Sequence, residues 1–499
     1  MLGRNGVCGG LLAATAALVG CGDPITRTAD VILTDANDLR GLTYAANGRI
    51  YAAGFTDVNP DDRQSVVVRM TADGALDTSF GDEGVVVLNL VDGDEQPMAI
   101  VELSGGDVVV LANVTDGQGG EAIADIDGGD PAERPNGQDV VLFRLDSSGD
   151  QRTGFGTNGL VTVTFGWDAA ADASWPVPTF TSSNPDGMQF SGGGFPSDTG
   201  WDLKLDRSGS AERLVVFGMG SAAYDENAGD AQRFDNDRFV VRLSVDGVVD
   251  AGFNGGAPFT FDSGVGDNAR RGFVEADGAI VSSGYANFGA GLDNHVVLIR
   301  LLPSGTVDSA FGFGWDTARP GVARFNPYVV DGGAAEAYGV ARLSDGTYVT
   351  TGYGAATSSG TPSTLGYETT QAQDVVIFGV TPTGLNADFG HQGELAVQSE
   401  ALSLPSFEER GRAIIALADD RTVHVGRFGG QAAVYVVRPD GTLDESVGDD
   451  GVFTSTSGAV TSQFFNVALS PDGTRFVATT NNDANGVRVA VFQVEVSAD

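Results

Sequence analysis

Short apolar runs separated by tight turns predict β-strands along most of the chain. One kind of hairpin has an apolar strand, an Asn-Gly or Asp-Gly turn and a second apolar strand ending in Gly, as in "LTYAANGRIYAAG" and "VARLSDGTYVTTG". These turns need positive φ angles, which Gly and Asn tolerate, so the segments predict β-hairpins. Seven such hairpins begin near Leu39, Ala99, Leu203, Gly272, Ala337, Ala413 and Phe465.

A second kind of hairpin alternates with the first and has a longer turn, exemplified by "LDTSFGDEGVV" from Leu76. Six copies share the form x-Gly-x-[Leu/Val]-Asp-x-x-Phe-Gly with variations. The aromatic position holds Phe80, Phe155, Phe253, Phe311 and Phe389, and Val447 replaces it in the sixth copy. The acidic position holds Asp77, Asp250, Asp308 and Asp444, with Arg152 and Asn386 in the second and fifth copies.

The repeated turn is expected to have a structural role. The Asp side chains are placed to accept backbone N–H groups, the Phe to fill a gap between neighbouring sheets, and the following Gly to adopt a conformation that excludes a Cβ. Arg69, Arg242 and Arg300 share one strand position in copies that have the acid, which predicts Arg/Asp pairs. Arg144 with Arg152 in the second copy does not fit this pattern.

These units resemble the delta-60 repeat, a family of bacterial surface and secreted proteins recognised by the LDxxFGxxG turn. The resemblance covers roughly residues 38 to 499. It implies an architecture built from repeats and does not imply an activity.

Each unit supplies four short strands, which is typical of a β-propeller blade. The seventh unit ends at "VRVAVFQVEVSAD" and lacks one strand. The apolar run "DVILTD", Asp30 to Asp35, precedes the first hairpin and is expected to pair with the C-terminal strand, which would remove the exposed edges. We therefore predict an all-β fold over residues 30–499: a seven-bladed β-propeller of four-stranded antiparallel blades, with the ring closed by the N-terminal strand.

Four long segments between strands are predicted insertions: Asn113 to Asp139, Gly166 to Trp201, Ser221 to Arg238 and Ala355 to Asp374. Because strand directions alternate, all four are expected on one face of the disc and the repeated turns on the other. The insertions differ in length and composition, which favours a specific binding site on their face. The alternative is that they are tolerated additions that bind nothing.

The N-terminal segment has one positive charge, Arg4, followed by an uncharged stretch that is too short to span a membrane but is typical of a secretory signal. Its end, "LVGC", resembles the lipobox of bacterial lipoproteins. The resemblance implies a signal peptide at residues 1–20, a lipidated Cys21, and a linker to residue 29. The other cysteine, Cys8, lies in the segment to be removed. The alternative is an ordinary cleavage site before an unmodified Cys21.

Composition and the scarcity of catalytic motifs limit the function. The 499 residues carry a formal net charge of -39, so nucleic acid is not an expected partner. His295, His391 and His424 lack metal or triad spacing, and the 67 acidic residues are too many for sequence to select a glycosidase pair. The segment "DIDGGDPAE" contains four possible Ca²⁺ ligands, Asp125, Asp127, Asp130 and Glu133. We favour a solvated acidic loop there, and no cofactor.

The leading hypothesis is a monomeric, lipid-anchored propeller of the bacterial cell envelope, at the outer membrane or the cell surface. It would bind an envelope protein or a polysaccharide through the face that carries the insertions, without catalysis. The alternative is an extracytoplasmic enzyme that acts on a glycan through carboxylates.

Overall fold

The computed structural model describes residues 25–33, 36–59, 62–91, 93–116, 138–163, 198–221, 236–288, 294–315, 320–328, 333–355, 363–365, 373–398, 409–454, 463–481 and 487–495. These residues form 29 β-strands. Within them, the one helical element is a 3-10 turn at Asn254–Gly256. No helix in these ranges is long and apolar enough to cross a membrane.

Seven antiparallel blades of four strands surround a central channel, as the sequence predicts. Blade 1 contains β2 (Asp38–Tyr44), β3 (Ile50–Asn59), β4 (Asp62–Met70) and β5 (Val85–Leu88). Blade 2 contains β6 (Gly93–Glu102), β7 (Val108–Asp116), β8 (Gln138–Leu145) and β9 (Leu160–Val163). Blade 3 contains β10 (Thr199–Asp206), β11 (Arg213–Ser221), β12 (Asn236–Ser244) and β13 (Phe259–Phe261).

The remaining blades follow the same order from the inner strand outward. Blade 4 contains β14 (Asp267–Val274), β15 (Ile280–Asn287), β16 (Asn294–Leu301) and β17 (Val322–Phe325). Blade 5 contains β18 (Ala334–Arg342), β19 (Tyr348–Ala355), β20 (Asp374–Thr381) and β22 (Glu394–Val397), with the short β21 (Gly384–Leu385) also paired to β20. Blade 6 contains β23 (Arg410–Ala416), β24 (Thr422–Phe428), β25 (Gln431–Val437) and β26 (Val452–Thr454).

Blade 7 is built from both ends of the chain. It contains β27 (Gln463–Leu469), β28 (Arg475–Asn481), β29 (Val487–Val494) and the N-terminal strand β1 (Ile25–Leu33), which pairs antiparallel with β29. This confirms the predicted closure of the ring. The strand begins five residues before the expected Asp30, inside the segment expected to be a linker. Burial of Ile25 in the core between blades 6 and 7 explains the longer pairing.

The apolar core lies between neighbouring blades and not within one central layer. Each of seven large apolar clusters joins residues of two adjacent blades. Between blades 1 and 2, for example, Tyr51 and Phe80 pack with Val110 and Phe143. Because most strands are covered on both faces, they read as continuous apolar runs, such as residues 66–68, and not as a strict alternation.

The two faces of the disc differ in the connections they carry. The inner strands begin at one face, which we call the insertion face, and end at the other, the turn face, where both hairpin turns of a blade lie. The strands that lead into the four predicted insertions end at Asp116, Val163, Ser221 and Ala355, all at the insertion face. The insertions themselves lie largely outside the described residues.

Candidate binding site at the central channel

The repeated turns lie at the turn face and fasten each blade to the next. Their aromatic residues are almost fully buried, with exposed fractions of 0% to 4%, and comprise Phe80, Phe155, Phe253, Phe311 and Phe389. Each lies in the core layer shared with the following blade, as does Val447 in blade 6. The N–H of the next residue also reaches the neighbouring blade, since Gly81 donates to the Ser148 carbonyl at 2.8 Å.

The acidic residues of these turns bind both the turn backbone and an arginine of their own blade. Asp77 accepts the Ser79 N–H at 3.2 Å and pairs with Arg69 at 3.0 Å. The same type of pair joins Asp250 to Arg242, Asp308 to Arg300, and Asp444 to Arg421 and Arg438. The Ser79 hydroxyl and N–H, together with Arg69 and Arg49, outweigh burial and lower the pKa of Asp77 below its usual range.

Blade 2 contains the same ion pairs with the charges exchanged. In blade 1, Arg49 follows the first hairpin turn and pairs with Asp77 at 2.9 Å. Asp107 occupies the place of Arg49 in blade 2, because both residues accept the hydrogen bond that closes the turn. Asp107 pairs with Arg144 at 2.9 Å and with Arg152 at 3.1 Å. The arginine that replaces the turn acid is therefore compensated by an acid at the opposite position.

Blade 5 has a neutral version of this contact. Asn386 replaces the turn acid, and its side-chain amide donates to the Thr347 hydroxyl at 2.9 Å. Thr347 follows the first hairpin turn, where Arg49 lies in blade 1. In both blades that depart from the repeated motif, the change at the turn acid is accompanied by a change at its contact partner. The polar groups of the motif therefore bind one another within the fold.

A second repeated feature lies on the inner strands, where every blade has a β-bulge at the same place. Bulges re-aim a side chain relative to a regular strand. The bulged residues line the channel and form what we call the bulge ring: Arg40, Met98, Trp201, Arg270, Tyr338, Arg412 and Phe465. Sequence reasoning missed this ring because its members share no residue type.

Arginines and aromatic rings alternate along one side of the bulge ring. The Arg270 guanidinium lies 4.1 Å from the ring centre of Trp201 and 5.0 Å from that of Tyr338. On the other side of Tyr338, the Arg412 guanidinium lies at 4.8 Å, and it also lies 5.7 Å from the Phe465 ring. Contacts of this kind attract a cation to the face of an aromatic ring.

The remaining members complete the circle. Arg40 lies 5.2 Å from the Phe465 ring centre, and its Nη1 is 3.6 Å from the Met98 sulfur. Met98 and Trp201 pack in the same apolar layer between blades 2 and 3. The seven side chains therefore form a continuous ring around the channel.

Positive charge is concentrated at this ring. Burial is the main cause that lowers the pKa of Arg412 to about 10; Tyr338 opposes the shift, and the charged neighbours Arg410, Arg270 and Arg40 add to it. Arg40 pairs with Asp38 at 2.9 Å. Four guanidinium groups thus lie close together in a chain whose formal net charge is -39.

Tyrosine hydroxyls lie close to the arginines, on the same blade or on the neighbouring one. Tyr285 accepts a hydrogen bond from Arg270 at 2.7 Å. Tyr353 donates to Glu336 at 2.5 Å, and the Arg410 guanidinium lies 5.3 Å from its ring. Burial raises the pKa of Tyr285 and of Tyr353 far above the usual value. These hydroxyls stay protonated and can act as hydrogen-bond donors as well as acceptors.

Carboxylates with raised pKa values lie in separate blades. Burial raises the pKa of Asp267 in blade 4 and of Glu394 in blade 5 to about 7 each, and that of Glu95 in blade 2 also rises. Asp267 accepts the Ser263 N–H at 2.8 Å, and Glu394 accepts the Ser363 hydroxyl at 3.0 Å. Each of these carboxyl groups accepts hydrogen bonds from different neighbouring residues.

Three carboxylates near the insertion face are close enough to share a metal ion. Asp237, Asp262 and Asp267 each offer an oxygen, and these oxygens lie within 4.8 Å of one another. Turn N–H groups already bind two of the side chains, those of Asp262 and Asp267. The Ca²⁺ alternative considered for residues 125–133 falls outside the described residues.

The histidines lie apart from the ring and from one another. His424 is buried in blade 6, where burial lowers its pKa to about 3 and Thr422 lies at 2.8 Å. His295 packs against Phe288 in blade 4, with ring centres 5.0 Å apart. His391 lies in the repeated turn of blade 5.

The family model that matches part of the chain is also that of a β-propeller. Residues 45–80 match the family model described as "Domain of unknown function (DUF5122) beta-propeller". This stretch runs from the first hairpin turn of blade 1 to Phe80 of its repeated turn. No curated protein matches the chain.

Several solved structures are similar at low sequence identity. A catalytically inactive virginiamycin B lyase from Staphylococcus aureus is 10% identical with a TM-score of 0.44, and the alignment covers 94% of this chain and 98% of that one. The polysaccharide lyase Uly1 is 10% identical with a TM-score of 0.45, covering 93% and 91%. A glucose dehydrogenase is 12% identical with a TM-score of 0.37, covering 95% and 99%. The activities of these proteins differ, and such distant likenesses do not bear on the activity of this chain.

Proposed function

We propose that this protein is a lipid-anchored binding propeller of the bacterial cell envelope, which holds an anionic protein or glycan partner over the insertion-face mouth of its channel. The observation that carries the proposal is that the partly buried Arg412 guanidinium lies in one ring with those of Arg40 and Arg270, whose positive charges repel it. A carboxylate or sulfate group of a partner would relieve this repulsion and accept charge-assisted hydrogen bonds. Aromatic faces beside the arginines add apolar contact area.

The direction of strand β1 supports an orientation in which the insertion face points away from the membrane. Strand β1 begins at Ile25, opposite Val494 near the turn face, and ends at Leu33 near the insertion face. A lipid on Cys21 would be joined to this strand by the short segment of residues 22–24, which spans at most about 10 Å. The lipid would hold the turn face towards the membrane and leave the insertion face free for a partner.

The repeated turns are a less suitable binding surface. Their Phe side chains are buried and their acids are paired with arginines of the same blade. The bulge ring instead presents five kinds of side chain from its seven blades, and unlike groups on a rigid scaffold can distinguish one partner from another. The proposal contains no catalytic step.

Binding can be tested with the soluble form that starts at Gly22. We expect it to retain polygalacturonate or poly-glutamate on a sensor surface and not neutral dextran, and Arg412→Gln to weaken retention at least about tenfold. The matched control is Arg421→Gln, an arginine of the same blade that pairs with Asp444 in the repeated turn. Equal retention by parent and Arg412→Gln would refute the assignment of the ring.

The same experiment separates the two partner classes and the enzymatic alternative. Retention of polygalacturonate alone supports a glycan partner, and retention of poly-glutamate alone supports an acidic protein segment. Release of shortened saccharides over time would support the alternative of a glycan-cleaving enzyme with carboxylate catalysts.

Attachment through Cys21 needs a separate test. The chain with Cys21→Ala and the parent chain are expressed in a bacterial host and the cells are fractionated. We expect the parent in the membrane fraction and the variant in the soluble exported fraction. A variant that remains as firmly with the membrane as the parent would contradict the lipid anchor.

A further inference from the structure

The half of the channel on the turn-face side of the bulge ring contains a cavity of about 350 Å³. The inner strands of blades 3 to 7 line it from the bulges to the strand ends. Its walls are largely apolar and include Val340, Ala341, Ile414, Val467 and Leu469. This volume is at the lower end of the range of small-molecule sites.

The inner end of the cavity contains a buried arginine with a free donor. Arg271 is 9% exposed, and its guanidinium donates to the Phe465 carbonyl at 2.9 Å and to the Arg412 carbonyl at 3.3 Å. Its remaining nitrogen, Nη1, has no hydrogen-bond partner. Two carbonyls therefore fix the guanidinium plane, while the Nη1 donor group is unused and is itself buried beside the cavity.

The nearest carboxylate leaves that donor unsatisfied. Asp202 Oδ1 is 3.9 Å from Arg271 Nη1, which is beyond hydrogen-bond distance. Both oxygens of Asp202 already accept other donors: the Leu203 N–H at 3.0 Å, the Gly272 N–H at 3.2 Å and Lys204 Nζ at 3.1 Å. Asp202 is thus compensated by its own contacts and opposes an incoming anion only weakly.

Two further basic side chains line the cavity, and each has a carboxylate partner. Lys204, 37% exposed, pairs with Asp202 at 3.1 Å, and Arg342, 44% exposed, pairs with Glu275 at 3.5 Å. Lys204 lies near Arg271, because Asp202 Oδ1 is 3.1 Å from Lys204 Nζ and 3.9 Å from Arg271 Nη1. Arg342 lies at the end of its strand towards the turn face, so an anion that enters from that face passes Arg342 before it reaches Lys204 and Arg271.

We propose that this cavity binds a small organic monocarboxylate with an apolar body. The carboxylate accepts hydrogen bonds from Arg271 Nη1, and the apolar body lies against Val340, Ile414 and Val467. The unused Nη1 group of a guanidinium held in place by two carbonyls can donate charge-assisted hydrogen bonds to a carboxylate. This site lies on the side of the bulge ring opposite to the partner site proposed above, and it does not depend on that proposal.

The test is calorimetric titration of the purified full-length chain with 3-phenylpropionate and with its neutral analogue, 3-phenylpropionamide. We expect 3-phenylpropionate to bind with a Kd below about 1 mM, and the amide to bind at least about tenfold more weakly. Octanoate is the second carboxylate probe and is expected to behave as 3-phenylpropionate does. Failure of both carboxylates to bind, or equal binding of acid and amide, would overturn the proposal.

Variants locate the site. Arg271→Gln removes the charge and is expected to weaken 3-phenylpropionate binding about 10- to 100-fold without changing the affinity for the amide. Arg207→Gln, at the turn face and outside the cavity, is the matched control and should bind as the parent does. Parent-like carboxylate affinity in a folded Arg271→Gln chain contradicts the proposal.

A second variant keeps the test decisive if Arg271→Gln does not fold. Ala341→Leu leaves Arg271 in place and reduces the volume of the cavity, so both probes are expected to bind more weakly. Unaltered binding in Ala341→Leu would place the carboxylate elsewhere on the molecule.

Discussion

The repeated turns, which six blades contain, and the bulge ring, to which all seven blades contribute, vary in opposite ways. In the turns, the chemistry is kept even where the residues change: blade 2 exchanges the charges between Asp107 and Arg152, and blade 5 replaces them with Thr347 and Asn386. In the bulge ring, the backbone is kept and the side chains differ from blade to blade.

This difference separates the residues that stabilise the propeller from the residues that can give it binding specificity. The turn residues satisfy one another within the fold, so few of their polar groups are available to a ligand. The bulge ring places the positive charges of Arg40, Arg270 and Arg412 close together in a poorly solvated part of the molecule, which is energetically unfavourable. Neutral side chains occupy the same position in other blades. Stability should therefore depend more on the turns, and binding more on the ring.

The largest loss of stability is expected for Phe80→Ala. Phe80 is fully buried between blades 1 and 2, with its ring 5.7 Å from that of Tyr51 and 4.6 Å from the Arg69 guanidinium. Removing such a ring from a core costs about 3–5 kcal/mol. Denaturant unfolding should show this loss, and Phe80→Leu should lose less. A loss below about 1 kcal/mol would contradict the role of the turn in joining blades.

The exchanged charges of blade 2 predict a smaller effect that can be reversed. Asp107→Arg removes the carboxylate that Arg144 and Arg152 share and adds a third guanidinium, which should lower stability by less than Phe80→Ala does, because Arg152 is half exposed and each arginine keeps a second, more distant carboxylate partner. Adding Arg152→Asp recreates the arrangement of blade 1 and should recover most of the loss. A double-mutant cycle measures the coupling, and additive effects would show that the pairing is incidental.

The fold could be predicted from sequence because turn chemistry is local and repeats. The number of blades followed from hairpins that could be counted, and closure of the ring followed from one missing strand and one spare apolar run. The start of β1 was not predicted, because Thr26, Arg27 and Thr28 interrupt the apolar pattern between Ile25 and Val31. Only the pairing with β29 and the burial of Ile25 show that these polar residues belong to a strand.

The bulge ring could not be predicted in the same way. Arg270, Met98 and Trp201 occupy equivalent places but share no property that a pattern search can use. Their equivalence depends on a one-residue shift in backbone register, which is set by pairing with the second strand of each blade. The charge exchange in blade 2 did leave a signal, because Asp107 aligns with Arg49 when the first hairpin turns are superposed in sequence.

The contribution of carboxyl groups to stability should depend on pH in opposite ways at the insertion face and in the repeated turns. Burial raises the pKa of Asp267 to about 7, although Arg238 opposes this shift and Asp262 adds to it. The folded state therefore keeps a proton that the unfolded chain loses near pH 4, and this contribution to stability declines as the pH rises from about 4 to about 7. In the turns, the lowered pKa of Asp77 gives the opposite slope: its contribution is present above the unfolded value and declines on acidification.

Asp267→Asn tests that slope. The variant retains a side-chain oxygen for the Ser263 N–H but has no proton to lose. We expect parent and variant to be equally stable at pH 4, and the variant to be more stable by about 3–4 kcal/mol at pH 8. Unfolding curves at both pH values provide the measurement. A variant that is no more stable than the parent at pH 8 would show that the Asp267 carboxylate is not held protonated.

The smallest change in stability is expected for Arg412→Gln, and this prediction tests the comparison most directly. The substitution removes cation–π contacts with Tyr338 and Phe465, worth about 0.5–2 kcal/mol. It also removes a buried charge that Arg270 and Arg40 repel, so the two effects should cancel to within about 1 kcal/mol. Arg421→Gln in the same blade should cost about 1–3 kcal/mol, because it takes a partner from Asp444. If Arg412→Gln proves the more destabilising of the two, the ring is part of the scaffold and not a surface kept for a partner.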